Sequence, residues 1–124
     1  MMFSFCTGLA TVPSDLLPAT TLAEGCYSSM FLNCLNLTTA PVLPATTLVG
    51  NCYQEMFYSC SKLSSVTCLA TSGINQNNST ENWLESAGSD VLGTKTFNAV
   101  STAEWPMNNG NGIPSGWTRQ NIDN

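Results

Sequence analysis

Chemistry in this chain would have to come from six cysteines and eight carboxylates, because it has no histidine. A Ser-His-Asp or Cys-His arrangement is therefore excluded. Zinc needs four converging ligands, and the chain has neither His nor a Cys-x2-Cys spacing. A carboxylate pair can cut glycosides, but Asp15, Glu24, Glu55, Glu81, Glu85, Asp90, Glu104 and Asp123 are dispersed. Glu81 and Glu85 read as one solvated face near the start of a short helix, and no phosphate-binding glycine loop is present. No cofactor and no metal are expected, and the chain reads as a non-enzyme.

The cysteines carry a pattern instead. Cys6, Cys34 and Cys60 share one position of a repeat and Cys26 and Cys52 another, while Cys68 falls where Val42 stands. Small apolar thiols pack well in a ladder of this kind, so buried free thiols are the first reading. Disulfides between adjacent coils are the second, since such coils lie within bridging distance.

The elements that would position these side chains come from the repeat. Residues 17–42 and 43–68 match at twelve of 26 positions without a gap, and residues 2–9 repeat the M-F-x-x-C-x-x-L core. A fixed period of 20–50 residues signals a stacked array. The apolar positions from Cys26 to Leu37 fall at offsets 0, 1, 4, 5, 8 and 11, which predicts two helical turns. Residues 37–40, 45–48 and 63–66 read as short strands, with Pro18, Pro41 and Pro44 at corners. The expected core is Leu22/Leu48, Met30/Met56, Phe31/Phe57, Cys34/Cys60 and Leu37/Leu63.

Residues 70–124 break the period. Residues 75–80 read as a polar loop, 80–88 as a helix stopped by Gly88, 93–97 and 117–122 as strands, and 108–112 as a loop. Trp83, Phe97, Trp105 and Trp117 are expected to cover the open end of the array. The division is therefore 1–69 repeats (partial 1–16, full 17–42, full 43–68) and 70–124 cap. Met1-Met2-Phe3 leads straight into repeat consensus with no signal peptide, so the chain reads as part of something longer.

The pattern L-P-x-T-T-L-x-x-x-C-Y-x-x-M-F-x-x-C-x-x-L over residues 2–69 resembles the BspA-type leucine-rich repeats of Bacteroidetes surface proteins, where I-P-x-x-V-x-x-I-x-x-x-A-F-x-x-C-x-x-L plays the same part. Here Met30-Phe31 and Met56-Phe57 replace Ala-Phe. Val66–Thr71, Asn82-Trp83-Leu84, Thr96-Phe97, Trp105 and Gly112–Thr118 resemble the ending that follows such arrays in gut Bacteroides proteins. The resemblance implies an α+β repeat fold: a short right-handed solenoid of small strands and helical turns, closed by an α+β cap. It also implies an extracellular or cell-surface adhesion module. Related arrays occur in phages, so a virion component (a tail or head fibre, with homo-oligomeric assembly) or a cell-surface spacer is the alternative.

Composition limits the partners. The net charge is −5, charged residues are only 9%, and Lys62, Lys95 and Arg119 are the only cations. Three scattered cations make no basic track for nucleic acid, and no apolar run is long enough to insert into a membrane. Partners are expected to be a protein or glycan on a host or neighbouring cell. The binding candidates are the variable polar positions Thr38, Thr39, Ser64 and Ser65 on one strand face, and Ser28, Ser29, Gln54 and Glu55 on the helical turn. Asn36-Leu37-Thr38 and Asn78-Ser79-Thr80 are formal glycosylation sequons.

Overall fold

The computed structural model describes residues 3–122, so Met2 of the expected repeat consensus lies outside the described residues. Among the described residues, regular structure is confined to three strands, β1 (Ser65–Cys68), β2 (Lys95–Ala99) and β3 (Trp117–Asn121). They form one open parallel sheet in the order β1-β2-β3. Among the described residues there is no helix, and hence none long and apolar enough to cross a membrane. The expected α+β solenoid with helical turns and an α+β cap is therefore corrected: neither the segments 26–37 and 52–63 nor 80–88 are helical.

The physical reason lies in the amides. In residues 25–34, every second N–H bonds three residues back, as in Met30 N–H to Tyr27 O at 3.2 Å and Cys34 N–H to Phe31 O at 3.0 Å. The intervening N–H groups leave the segment altogether. Gly25, Tyr27, Ser29, Phe31 and Asn33 donate to the carbonyls of Gly50, Cys52, Gln54, Met56 and Tyr58 in the next repeat. Residues 51–60 do the same toward residues 77–85. A helix would turn all these bonds inward.

The turns need a left-handed residue at every fourth position. Positive φ falls at Gly25, Ser29 and Asn33, then at Asn51, Glu55 and Ser59, then at Asn78, Asn82 and Ser86. Tight turns with a positive φ at the third residue favour Gly or Asn there. An apolar pair every four residues mimics a helix in the sequence, because offsets of 4 and 8 fit both geometries.

The third set of left-handed residues exposes a repeat that the sequence concealed. Ser79-Thr80, Trp83-Leu84 and Ala87 occupy the places of Cys52-Tyr53, Met56-Phe57 and Cys60, and all are buried. Trp83 thus fills a methionine slot, and its larger ring reaches two columns at once. One column runs Phe3–Phe31–Phe57, with centroid spacings of 5.4 and 5.6 Å and near-parallel rings. The other runs Tyr27–Tyr53, spaced 6.3 Å. Trp83 lies 5.9 Å from Tyr53, 6.4 Å from Phe57 and 5.1 Å from Trp105, the last nearly parallel. Its indole N–H donates to Gly112 O at 3.0 Å.

The sheet covers another side of this core. Val66 and Cys68 of β1 and Phe97 and Ala99 of β2 point inward, in line with strand alternation. The register sets Val66 beside Phe97 and Phe97 beside Arg119. The strands expected at 37–40 and 45–48 shrink to the isolated bridges Thr39–Ser65, Leu43–Cys68 and Thr47–Ser72. Pro41 and Pro44 lie between those bridges and supply no amide for a ladder. The strand expected at 93–97 lies two residues later, and the one at 117–122 ends at Asn121. Arg119 closes the edge strand with a buried-side charge. Its guanidinium donates to Val100 O at 2.9 Å, Ala103 O at 2.8 Å and Ser101 O at 3.4 Å. An inward charge of this kind discourages further strand pairing.

Candidate functional site

The polar side of the sheet carries an ordered array of outward groups. Parallel register aligns Ser65, Thr96 and Thr118 in one row, continued by Thr39 through its bridge to Ser65. A second row holds Thr67, Asn98 and Gln120. Thr39, Thr118 and Gln120 are exposed and the others half-buried. Asn98 Nδ2 donates to Thr67 Oγ1 at 3.2 Å and to Val66 O at 3.3 Å, which fixes the amide in the plane of the row. No charge interrupts either row.

The four strand-face candidates divide into two pairs. Thr39 and Ser65 belong to the outward row. Thr38 and Ser64 do not: Thr38 Oγ1 donates to Ala10 O at 3.2 Å, and Ser64 Oγ to Thr38 O at 3.2 Å. Their hydroxyls seal neighbouring coils.

Three of the four candidates on the expected helical turn are likewise engaged in cross-repeat bonds. Gln54 Nε2 donates to Glu81 Oε1 at 2.6 Å, and buried Ser29 donates its hydroxyl to Glu55 Oε1 at 3.3 Å. Ser28 is half-buried. Glu81 is therefore a staple rather than one half of a helix face with Glu85. Asn36 of the first sequon donates to Thr7 O at 2.6 Å, and Ser79 and Thr80 of the second are fully buried.

A second exposed hydroxyl column was not singled out from sequence. Thr46 and Thr47 lie against Thr71 and Ser72, joined by the Thr47–Ser72 bridge, by Thr71 N–H to Thr46 O at 2.9 Å and by Ser72 Oγ to Thr47 Oγ1 at 3.2 Å. All four residues are exposed. The signal was the paired hydroxyls of the L-P-A-T-T-L motif, but Thr71-Ser72 sit where the period looks lost.

The thiols are all free, with Cys34, Cys52, Cys60 and Cys68 buried and Cys6 and Cys26 exposed. Cys34 and Cys60 donate their S–H to Phe3 O at 2.9 Å and Phe31 O at 3.0 Å. Burial pushes the thiols of Cys60 and Cys68 up to about 12, with the neighbouring Cys34 adding to the first and Cys52 to the second. Burial also raises Cys34, Cys52 and the phenol of Tyr53. A nucleophilic thiol needs its pKa lowered, so these four are tuned toward inertness. Among the described residues no three of His, Cys, Asp and Glu converge as a metal site requires.

The expected core residues Met30, Met56, Phe31, Phe57, Cys34, Cys60, Leu37, Leu63, Leu22 and Leu48 are all buried, as are Trp83, Phe97, Trp105 and Trp117. The indole N–H groups of Trp105 and Trp117 are buried without a hydrogen-bond partner.

The chain matches no protein-family model, no curated protein and no solved structure.

Proposed function

We propose that this protein is a non-enzymatic recognition module that binds protein or glycan through its repeat-built polar surface, outside the cell. The observation that carries the reading is the sheet face: two uncharged rows of hydroxyls and amides, held in parallel register by a backbone that cannot easily shift. Such groups offer directional hydrogen bonds without the larger desolvation cost of charges, which suits recognition of polar partners. The cysteines support it by contrast, since burial drives Cys60 and Cys68 away from reactivity. The resemblance of residues 2–69 to BspA-type repeats supports a place on a cell surface.

The test is a glycan and host-protein array probed with the intact protein and with Thr39→Glu/Ser65→Glu/Thr96→Glu. Binding that disappears in the triple variant upholds the reading. Binding untouched by it moves the contact off the sheet face. A folded protein that engages nothing on the array leaves the structural alternative, a spacer or virion component, as the better account.

A further inference from the structure

A cleft of about 300 Å³ opens at the end of the second hydroxyl column, lined by Thr71, Ser72, Gly73, Ile74, Gln76 and, from the opposite side, Thr102 and Glu104. We propose that this cleft is a binding site for a neutral saccharide; the proposal rests on the recognition reading and adds to the sheet face a second contact, for one ligand class.

The chemistry of the lining selects the ligand. Ser72 and Thr71 already direct their hydroxyl hydrogens to Thr47 Oγ1 (3.2 Å) and Thr46 O (3.5 Å), so each presents lone pairs to the cleft. Glu104 contributes a carboxylate, which accepts only. Gln76 adds both an acceptor and two donors, and Thr102 either. The cleft is thus rich in acceptors and asks for a ligand with several O–H groups. No Lys or Arg lines it, so a phosphate or carboxylate would meet Glu104 without a counter-charge. Ile74 is the single large apolar group, too little for an apolar ligand but suited to the C–H face of a sugar ring. The volume lies at the small end of ligand sites, as one or two rings require.

Both walls are fixed in advance, which spares the ordering cost of binding. Ser79, fully buried, donates its hydroxyl to Gly73 O at 2.7 Å and holds the 73–79 loop. Gly73 itself sits at φ +77, where a Cβ would lie 2.2 Å from Leu48 O, so only glycine permits this corner. On the other wall, Arg119 holds the carbonyls of Val100 and Ala103, immediately before Glu104.

The experiment uses the intact protein on an array of neutral oligosaccharides (glucose, mannose, galactose, xylose, fucose and N-acetylglucosamine series), sialylated and uronate glycans, and host proteins. Any sugar that binds is then titrated against four variants. Glu104→Gln and Gln76→Ala lie on exposed side chains and spare the core; each is expected to weaken a neutral sugar about tenfold, the worth of one hydrogen bond. Lys62→Met, on an exposed side chain outside the cleft and both sheet rows, is expected to leave that affinity unchanged, and Thr39→Glu/Ser65→Glu/Thr96→Glu serves as the sheet-face variant. Sugar binding lost in the sheet-face variant but kept in both cleft variants overturns the cleft while the recognition reading stands. So does a preference for sialylated or uronate glycans, or an array on which only proteins bind. Silence from every sugar and every protein overturns both.

Discussion

Residues 17–42 and 43–68 carry nearly the same sequence, yet equivalent side chains differ in burial. Cys26 is exposed where Cys52 is completely buried, Tyr27 is half-buried where Tyr53 is 1% exposed, and Met30 and Leu17 retain 8% and 6% where Met56 and Leu43 retain none. Nothing in the local motif accounts for this. The later repeat is sandwiched by another on each side, whereas the earlier one has only the partial repeat of residues 3–16 on its outer side among those described. A repeat of this type therefore acquires its core from its neighbours, as stacked arrays do.

The sharpest way to break that comparison is to remove a ring from each end of the column. Trp83→Ala deletes a fully buried side chain that contacts both aromatic columns, and should cost about 3–5 kcal/mol. Phe3→Ala, half-buried on one neighbour, should cost about 1 kcal/mol. Equal shifts in urea denaturation would show that the two ends are energetically alike. Alkali provides the second test. Cys60 and Cys68 have folded pKa values raised to about 12 from an ordinary 9. Their contribution to stability is thus fully present below about pH 9 and is lost as pH climbs through 12. Alkylation should label Cys6 and Cys26 promptly in the native protein and the other four only on unfolding. A third fast thiol would contradict the burial gradient.

Smaller effects refine the picture. Arg119→Met removes the charged donor to the 100–103 loop and should lower stability by about 1.5–3 kcal/mol, while Lys62→Met, on an exposed side chain, should be nearly silent in the same titration. Ser59→Asn places a residue that tolerates positive φ where Ser59 sits at 60°, and should raise stability by about 0.5–1 kcal/mol. A loss of stability there would mean that the turn geometry is not limited by the left-handed cost.

How much of this was legible in the sequence depended on which periodicity was sampled. The 26-residue repeat, the aromatic and thiol columns and the tryptophan cluster could be read from residue identity. The turn conformation could not: Cys26-Tyr27, Met30-Phe31 and Cys34 satisfy helical spacing, and only the Gly, Ser and Asn residues at every fourth position betray turns instead. The third repeat was invisible because Ser79-Thr80 and Trp83-Leu84 fill the same buried slots and keep none of their letters. The site was half legible. Adjacent hydroxyls in Thr38-Thr39 and Ser64-Ser65 look alike in sequence, and the backbone alone decides which of each pair faces solvent. The cleft joins residues 71–76 to 102–104, a pairing that no local pattern announces.

The alternation of amides also governs how the gene can change. Deleting one codon within residues 51–60 would exchange the N–H groups that stay inside with those that reach the next repeat, and would move every left-handed position onto the wrong side chain. Single-codon slips there should be lethal to the fold, while duplication of a whole unit leaves the phase intact. The spacings of the equivalent residues Phe3, Phe31, Phe57 and Leu84 are 28, 26 and 27. All of that variation falls in the corners, where a residue gained or lost disturbs no phase.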